Sequence, residues 1–289
     1  MPVSIERIEE RPGLPELVLR HGDAHLRLSL QGAHITDYSP AGQGNRLWVS
    51  DSARYKPGKA IRGGIPLCWP WFGANPDLPE RPQHGFARTR RFEVISQRVD
   101  TQQAAVILGL DASSEFAEWD GAARLEVEIR LSDQLWMELR TTNVSDRELA
   151  IGVGLHGYFR VSDCLAAALP AVTGLDYQDK TLDFARRTQV DPLRIDGEID
   201  RVYLDPPTMI ELHDPGHPNR LRIQAWGHTD LVVWNPGPDI ARALGDFDND
   251  GYRNMLCLEP ALALDRRRRL APGASFAVGQ KISAEIFWP

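Results

Sequence analysis

Leu125-Glu126-Val127-Glu128-Ile129-Arg130-Leu131 alternates strictly between apolar and charged side chains. Successive side chains of a β-strand point to opposite faces, so this pattern predicts a strand with one face in a core and the other in solvent or a groove. Segments 24–30, 135–140 and 221–226 repeat the pattern. Segment 231–234 is apolar at every position, which predicts a strand that is buried on both faces.

Turn residues separate these segments at short intervals, for example Asp133-Gln134, Asp196-Gly197 and Pro272-Gly273. Many short strands with closely spaced turns are typical of sandwiches and barrels rather than α/β folds. Residues 239–244 could form one short helix, and no linker or shift in composition divides the chain. We therefore predict an all-β protein, a single large antiparallel β-sandwich in one domain over residues 1–289.

The composition excludes several classes of function. The 289 residues carry a net charge of -7, with a pI near 5.6, so the surface as a whole does not suit nucleic acid. No apolar run approaches membrane-spanning length and the N-terminus lacks the apolar core of a signal peptide, so we expect no membrane partner and a cytoplasmic location. The three scattered cysteines predict buried reduced thiols rather than a disulfide framework or a zinc cluster.

Residues 61–88 have an unusual composition, in which apolar and aromatic side chains stand among glycines and prolines. Arg62, Gln83, His84 and Arg88 interrupt them. An apolar lining with a few polar groups is common in ligand sites. The same stretch is equally compatible with a surface loop that carries a buried aromatic plug, and the residues by themselves do not separate the two interpretations.

Two titratable residues stand at the ends of apolar runs. His156 lies at the end of a predicted strand and is flanked by glycines in Gly154-Leu155-His156-Gly157. It could act as a general acid or could be a core histidine bonded to a backbone carbonyl. Glu259 follows Met255-Leu256-Cys257-Leu258, where burial requires a partner or a raised pKa. It could therefore be a general base or half of a structural ion pair.

Two charged segments resemble binding motifs but fit them poorly. Residues 246–251 begin like a calcium loop, yet position twelve is Cys257 instead of the required glutamate, so we predict a solvated turn and no metal site. The run 266–269 contains four arginines in an acidic chain and precedes a Pro-Gly turn. We predict a solvated hairpin end there rather than a site for a polyanion.

Five motifs, in order and spacing, resemble those of the hexose-6-phosphate 1-epimerases, the phosphosugar mutarotase branch of the aldose 1-epimerase superfamily. The resemblance runs from about Arg62 to Pro272 and rests on Ile61-Arg62-Gly63-Gly64-Ile65-Pro66, Gln83-His84-Gly85-Phe86-Ala87-Arg88, Leu155-His156-Gly157-Tyr158-Phe159, Ile199-Asp200-Arg201-Val202-Tyr203 and Cys257-Leu258-Glu259-Pro260-Ala261. It implies a galactose mutarotase-like supersandwich. It also implies interconversion of the α and β anomers of an aldohexose 6-phosphate, with no metal and no cofactor.

The resemblance also assigns roles to individual residues. His156 matches the family's catalytic histidine and Glu259 its catalytic glutamate. The substrate-binding positions correspond to Arg62, Gln83, Arg88 and Asp200, and His84 lies beside them. Many relatives have a hydroxyl residue after the catalytic histidine, where this chain has Gly157, so a small change in substrate contact is expected there.

Mutarotation itself needs one base and one acid. We expect Glu259 to take the proton from the C1 hydroxyl and His156 to protonate the ring oxygen, with the roles reversed on closure. Arg62 and Arg88 could hold the phosphate with charge-assisted bonds of about 1.5–3 kcal/mol each, which would favour a phosphosugar by roughly two to four powers of ten. Asp200 would accept bonds from sugar hydroxyls.

The expected partner is thus a small-molecule sugar phosphate, bound by a monomer. Two alternatives stay open. One is a mutarotase for unphosphorylated aldoses, and the other is a non-catalytic carbohydrate-binding protein on the same scaffold.

Overall fold

The structure, a computed structural model, describes residues 2–75, 77–113, 116, 119–217 and 219–286. Its strands in chain order are β1 (Val3–Arg11), β2 (Leu14–His21), β3 (Ala24–Ser29), β4 (His34–Ser39), β5 (Leu67–Cys68), β6 (Glu93–Val99), β7 (Ala104–Ala112), β8 (Ala123–Leu131), β9 (Leu135–Asn143), β10 (Leu149–Ile151), β11 (Val153–Leu155), β12 (Gly157–Arg160), β13 (Ala168–Leu169), β14 (Asp176–Asp179), β15 (Ala185–Thr188), β16 (Leu193–Arg194), β17 (Ile199–Leu204), β18 (Met209–Leu212), β19 (Asn219–Trp226), β20 (Asp230–Asn235), β21 (Met255–Leu262), β22 (Arg268–Leu270) and β23 (Ser275–Ile286).

Helical structure is sparse in the described residues. It comprises α1 (Gly237–Ala243) and the short 3-10 turns Ala87–Thr89, Pro170–Val172, Lys180–Leu182 and Gly251–Asn254. The helix expected over 239–244 is α1, which begins two residues earlier. Within these same residues, no helix is long and apolar enough to cross a membrane.

The described residues form three large antiparallel sheets and two small sheets of two strands each. A four-stranded sheet has the order β1-β2-β3-β4, and a seven-stranded sheet has the order β18-β19-β23-β9-β8-β7-β6. The third sheet has eight strands in the order β15-β14-β17-β20-β21-β11-β5, with β12 also paired to β21. The prediction of an all-β antiparallel sandwich is confirmed.

The alternating segments behave as their sequence predicts. In β8, Leu125, Val127 and Ile129 are fully buried while the charged residues between them are not. The segments at 24–30, 135–140 and 221–226 lie in β3, β9 and β19. All three large sheets contribute to one apolar core, which contains Leu26 from the first sheet, Leu125 from the second and Leu258 from the third.

The eight-stranded sheet has two faces of different character. On β21, Leu256 and Leu258 belong to the main core, whereas Cys257 belongs to a separate small cluster that also contains Tyr158. Glu259 projects on the same face as Cys257, because the two are separated by one residue of the strand. This second face of the sheet carries the groups described in the next subsection.

The apolar run 231–234 lies on the central strand β20 and is explained by these two faces. Leu231 and Val233 enter the main core, and Val232 packs in a small cluster on the opposite face. Trp234 lies opposite Cys257 in the register of β20 and β21. A continuous apolar run is therefore expected even though one face of this strand borders a cavity.

The arginine run 266–269 is more strongly paired than a solvated hairpin end would be. Three of the arginines form ion pairs with acidic side chains, namely Arg266 with Asp205 and Asp230, Arg267 with Asp77, and Arg269 with Glu148. Because carboxylates neutralise three of its four positive charges, this segment is poorly suited to bind a polyanion.

The segment 61–88 contains both a buried aromatic plug and a polar cavity lining, the two interpretations that its sequence did not separate. Trp69 and Phe86 are buried aromatic rings in an edge-to-face contact, and the indole of Trp69 donates to the Thr141 hydroxyl over 3.1 Å. The polar residues of the segment meanwhile face a cavity. Gly85 allows the chain to double back here: it has a φ of 69° and its backbone approaches Trp69 closely.

We expect Gly85→Ala to lower the free energy of unfolding by about 3 kcal/mol or more, because the change combines a left-handed conformation with a backbone clash. A Cβ on Gly85 would lie 1.9 Å from the Trp69 carbonyl oxygen. Gly58→Ala is the matched control, since Gly58 has a φ of 75° with nothing within 4 Å of the added Cβ. Gly58→Ala should lower the free energy of unfolding by only about 1–2 kcal/mol. Urea unfolding of both variants tests this, and equal losses would contradict the clash.

Candidate active site

A cavity of about 440 Å³ opens on the second face of the eight-stranded sheet. Its wall includes every site residue that the sequence predicted, which are Arg62, Gln83, His84, Arg88, His156, Asp200 and Glu259. They come from the segment 61–88, the β11–β12 junction, β17 and β21. Residues nearly 200 positions apart thus meet at one place.

His156 and Glu259 form a buried contact at the floor of the cavity. His156 is 7% exposed and Glu259 is 1% exposed. The Nδ1 atom of His156 lies 3.3 Å from Oε2 of Glu259. The two atoms are not aligned as a hydrogen bond, and neither has another hydrogen-bond partner in the described chain. Nδ1 of His156 therefore makes no hydrogen bond to a backbone carbonyl in the described chain.

The surroundings shift the two pKa values in opposite directions. Burial lowers the pKa of His156 well below its ordinary value, and the charges of Arg88, Arg62 and Lys180 add to this. Burial raises the pKa of Glu259 well above its ordinary value, although Lys180 opposes the shift. Free histidine binds a proton more tightly than free glutamate. Both shifts act against that difference, because they make the Glu259 carboxylate a stronger base and a protonated His156 a stronger acid.

Aromatic rings fix the orientation of His156. Its ring stacks on Tyr158 with 4.7 Å between centroids and 3° between planes, and it meets the Trp234 ring edge to face with 6.3 Å between centroids. Tyr158 follows His156 by two residues, so both project from the same face of the sheet. The Tyr158 hydroxyl accepts a hydrogen bond from Nη1 of Arg62 over 3.2 Å. The imidazole is therefore held in place by the Tyr158 ring, which the hydrogen bond from Arg62 fixes in turn.

Arg62 is held by the segment 246–251. Its Nε and Nη2 atoms both donate to Oδ1 of Asp246, each over 3.2 Å. Asp248 of the same segment accepts bonds from the backbone N–H groups of Asp51 and Ser52. The segment that resembles the start of a calcium loop is thus more than a solvated turn, because it anchors an arginine of the cavity wall.

Arg88 has a different environment from Arg62. Its Nη2 atom donates to the Gln83 carbonyl over 2.8 Å. Throughout the part of the chain that the structure describes, no carboxylate forms an ion pair with Arg88. Its positive charge faces the cavity without the compensation that Asp246 gives to Arg62.

Asp200 pairs with Lys180, a residue that the sequence reasoning missed. Lys180 Nζ lies 2.8 Å from Oδ1 of Asp200 and 2.7 Å from Oδ2. Burial raises the pKa of Asp200, and the lysine opposes that shift. Lys180 stands in a polar 3-10 turn capped by Asp179, and such a turn has no feature in the sequence that would distinguish it from an ordinary surface loop.

His84 projects beside His156, with 5.5 Å between ring centroids. Its Nδ1 accepts a hydrogen bond from the backbone N–H of Gly73 and lies 3.3 Å from Sγ of Cys68. Burial lowers the pKa of His84, and the nearby arginines and Lys180 add to this. A neutral imidazole that accepts at Nδ1 keeps its proton on Nε2.

The tryptophans divide between core and cavity. Trp69 and Trp71 belong to the segment 61–88 and Trp234 to the apolar run 231–234, so each is a candidate to offer an apolar face to a sugar ring. Trp234 lines the cavity, together with Phe72. Trp69 and Trp71 instead belong to the main core, because the turn at Gly85 folds the segment back over them.

The pKa shift of Glu259 predicts an inverse relation between stability and pH. A raised folded-state pKa means that this group stabilises the fold fully below the ordinary glutamate value of 4.5, and that the contribution is lost as the pH rises. Glu259→Gln should therefore raise Tm at pH 8 by at least about 2 °C, the shift that 1 kcal/mol gives in a large domain, and change it little at pH 4.

Calorimetry at both pH values measures this effect. The control is Glu80→Gln, an exposed carboxylate that should leave both Tm values unchanged. A lower Tm for Glu259→Gln at pH 8 would show that the charged form stabilises the fold, which is incompatible with a raised pKa of Glu259.

Comparisons with known proteins agree with this geometry. The family model described as aldose 1-epimerase matches residues 15–283. A relative from Escherichia coli strain K12 is 33% identical over 87% of this chain and 84% of its own length, and one from Cenchrus ciliaris is 32% identical over 93% and 84%. Both carry the name "Putative glucose-6-phosphate 1-epimerase".

Solved structures share the fold over the full length. The crystal structure of a Salmonella typhimurium protein, described as a "putative mutarotase", superposes with a TM-score of 0.90 at 26% identity and covers 99% of this chain and 97% of its own. Galactose 1-epimerase from Lactobacillus acidophilus has the same fold at 14% identity, with a TM-score of 0.73 and 99% of both chains covered. The chain therefore belongs to the aldose 1-epimerase family, enzymes that interconvert the anomers of sugars.

Proposed function

We propose that this enzyme interconverts the α and β anomers of aldohexose 6-phosphates, with glucose 6-phosphate as the first candidate. The observation that carries the proposal is a buried, unpartnered His156–Glu259 contact that opens into a cavity lined by the uncompensated charge of Arg88. The two curated relatives described above carry the name of the same reaction.

The proposed reaction transfers two protons. The Glu259 carboxylate takes the proton of the C1 hydroxyl while His156 gives a proton to the ring oxygen, and the C1–O5 bond breaks to leave an open-chain aldehyde. Rotation about the C1–C2 bond presents the other face of the carbonyl. The ring oxygen then attacks C1, returns its proton to His156, and O1 recovers a proton from Glu259. Each group contributes about 10²–10⁴ in rate.

The opposite pKa shifts of the pair support this cycle. The reaction runs in both directions, so each group must lose and regain a proton in every turnover. Burial makes the Glu259 carboxylate a stronger base and the protonated His156 a stronger acid, which favours both proton transfers of ring opening.

The remaining cavity residues would bind the substrate. Arg88 would hold the phosphate, with Arg62 as a second donor whose charge is partly neutralised by Asp246. Gln83 and the Nε2–H of His84 would donate to sugar oxygens, and Asp200, held by Lys180, would accept from a sugar hydroxyl. Trp234 offers an apolar face to the ring.

The other expectations from the sequence stay proposals of the same kind. We propose a monomer in which residues 1–289 form one domain, because the predicted site residues all come from one chain and the large sheets share one core. The proposed chemistry needs no cofactor. A cytoplasmic location fits the three free, buried cysteines. Sedimentation of the purified protein would test the monomer.

The direct test adds the protein to freshly dissolved α-glucose 6-phosphate and follows anomeric exchange by NMR, beside glucose and galactose. We expect exchange of the phosphosugar to be faster than that of either free sugar by two powers of ten or more. Equal acceleration of free glucose would favour the mutarotase for unphosphorylated aldoses and exclude the phosphate assignment.

Glu259→Gln and His156→Gln should each lower kcat by about 10²–10⁴-fold with little change in substrate affinity, because each removes one proton carrier. Exchange spectroscopy gives kcat, and calorimetric titration of glucose 6-phosphate gives affinity. Undiminished exchange in Glu259→Gln would instead support a protein that binds carbohydrate without catalysis.

Arg88→Ala should weaken kcat/KM for glucose 6-phosphate by about 10–100-fold and leave the slower reaction of free glucose unchanged, because one charge-assisted bond to phosphate is lost. Arg98→Ala removes an exposed arginine that pairs with Asp100 and serves as the control. Equal losses on both sugars would mean that Arg88 supports the fold rather than the phosphate.

A further inference from the structure

Cys257 lies beside the proton-transfer pair but has no part in the proposed reaction. One donor atom from each of His156, Cys257 and Glu259 can be chosen such that all three lie within 4.8 Å of one another. All three residues are buried. Nitrogen, sulfur and carboxylate oxygen together form the donor set that zinc takes in proteins.

The spacing of these atoms is close to that of a tetrahedral metal site. With zinc–ligand bonds of about 2.0–2.3 Å, neighbouring ligand atoms lie roughly 3.3–3.8 Å apart. The Nδ1 atom of His156 and Oε2 of Glu259 are already 3.3 Å apart. From the 4.8 Å limit, the sulfur would have to approach by about 1.5 Å at most, which a side-chain rotation can supply.

Two of these donor atoms have no hydrogen-bond partner. Nδ1 of His156 and Oε2 of Glu259 are buried and unbonded in the part of the chain described. A buried polar atom without a partner is uncommon in native proteins and points to a missing ligand, water or ion. Substrate hydroxyls would satisfy them during turnover, and a cation would satisfy them otherwise.

The backbone holds the three ligands at fixed positions. Cys257 and Glu259 project from the same face of β21, because one residue of the strand separates them. His156 lies between β11 and β12, which both pair with β21. Since His156 and Glu259 also line the cavity, a cation could enter from there and would leave its outer coordination positions open to solvent.

We propose that His156, Cys257 and Glu259 bind a thiophilic divalent cation such as Zn²⁺, and that the bound cation inhibits the enzyme. The cation would occupy the lone pairs of His156 and Glu259 that carry protons in the proposed reaction. Thiolate favours zinc over magnesium and calcium, which prefer oxygen ligands. Cellular Mg²⁺ would therefore leave the enzyme active, while free zinc would switch it off.

Binding is tested first, without reference to activity. Co²⁺ added to the purified protein should produce the near-ultraviolet thiolate-to-cobalt charge-transfer band, and Zn²⁺ should displace it. Cys257→Ala should lack the band. Cys164→Ala, which removes a buried thiol elsewhere, should keep it. Absence of the band in the wild-type protein, or its persistence in Cys257→Ala, would overturn the site.

Inhibition is tested second and rests on the proposed anomerase activity. Zn²⁺ should slow anomeric exchange of glucose 6-phosphate by the wild-type enzyme, EDTA should restore it, and Mg²⁺ should have no effect. Cys257→Ala should keep its activity without metal and need at least about 10-fold more zinc, because loss of a ligand weakens binding at least as much as loss of a ligand's supporting partner.

The two experiments separate the possible failures. If Cys257→Ala does not fold, Cys257→Ser keeps the volume and replaces the soft ligand by a hydroxyl. Equal zinc sensitivity of wild type and the folded cysteine variant would overturn the proposal. A protein without anomerase activity that still shows the cobalt band would refute the proposed function and leave the metal site standing.

Discussion

A β-strand can present only every second side chain to one face of its sheet, and the candidate active site depends on this restriction at β21. Leu256 and Leu258 enter the main core, so Cys257 and Glu259 project from the opposite face, where Glu259 lines the cavity. The same backbone hydrogen bonds that build the sheet therefore aim the carboxylate. A slip of one residue in register would place Glu259 in the apolar core and a leucine in the cavity.

The neighbouring strands extend the same constraint to the rest of the site. β12 pairs with β21 so that Tyr158 lies opposite Cys257, and β20 pairs so that Trp234 does. His156, two residues before Tyr158, comes to the same face and meets Glu259. Fold stability and site geometry thus share their interactions, which gives the proton-transfer pair a rigid support.

Desolvation sets the chemical character of the pair and also opposes folding. Removing Glu259 and His156 from water disfavours their charged forms and shifts both pKa values. Those shifts act against the ordinary difference in proton affinity between the two groups. The same buried site leaves Nδ1 of His156 and Oε2 of Glu259 without hydrogen-bond partners. The large apolar core supplies the excess stability that such a site requires. The same open lone pairs explain why a thiophilic cation would compete with catalysis.

Three basic side chains concentrate positive charge at the cavity of this acidic protein, and each is held by a different partner. Arg62 is clamped by Asp246, Lys180 by Asp200, and Arg88 only by the Gln83 carbonyl. An arginine or lysine paired with a carboxylate is positioned but partly neutralised, whereas Arg88 keeps its full charge for an anion. Of the three, Arg88 is therefore best suited to distinguish a phosphosugar from a free sugar.

The sequence by itself determined the all-β class, because alternation with a period of two is a local property that residues such as 125–131 display directly. Motif resemblance also selected the seven site residues that line the cavity. Only the tertiary structure decided that Lys180 pairs with Asp200, that Asp246 anchors Arg62, and that Trp69 and Trp71 belong to the core. Those outcomes depend on which distant segments meet across the fold, and no local pattern of residues encodes such a meeting.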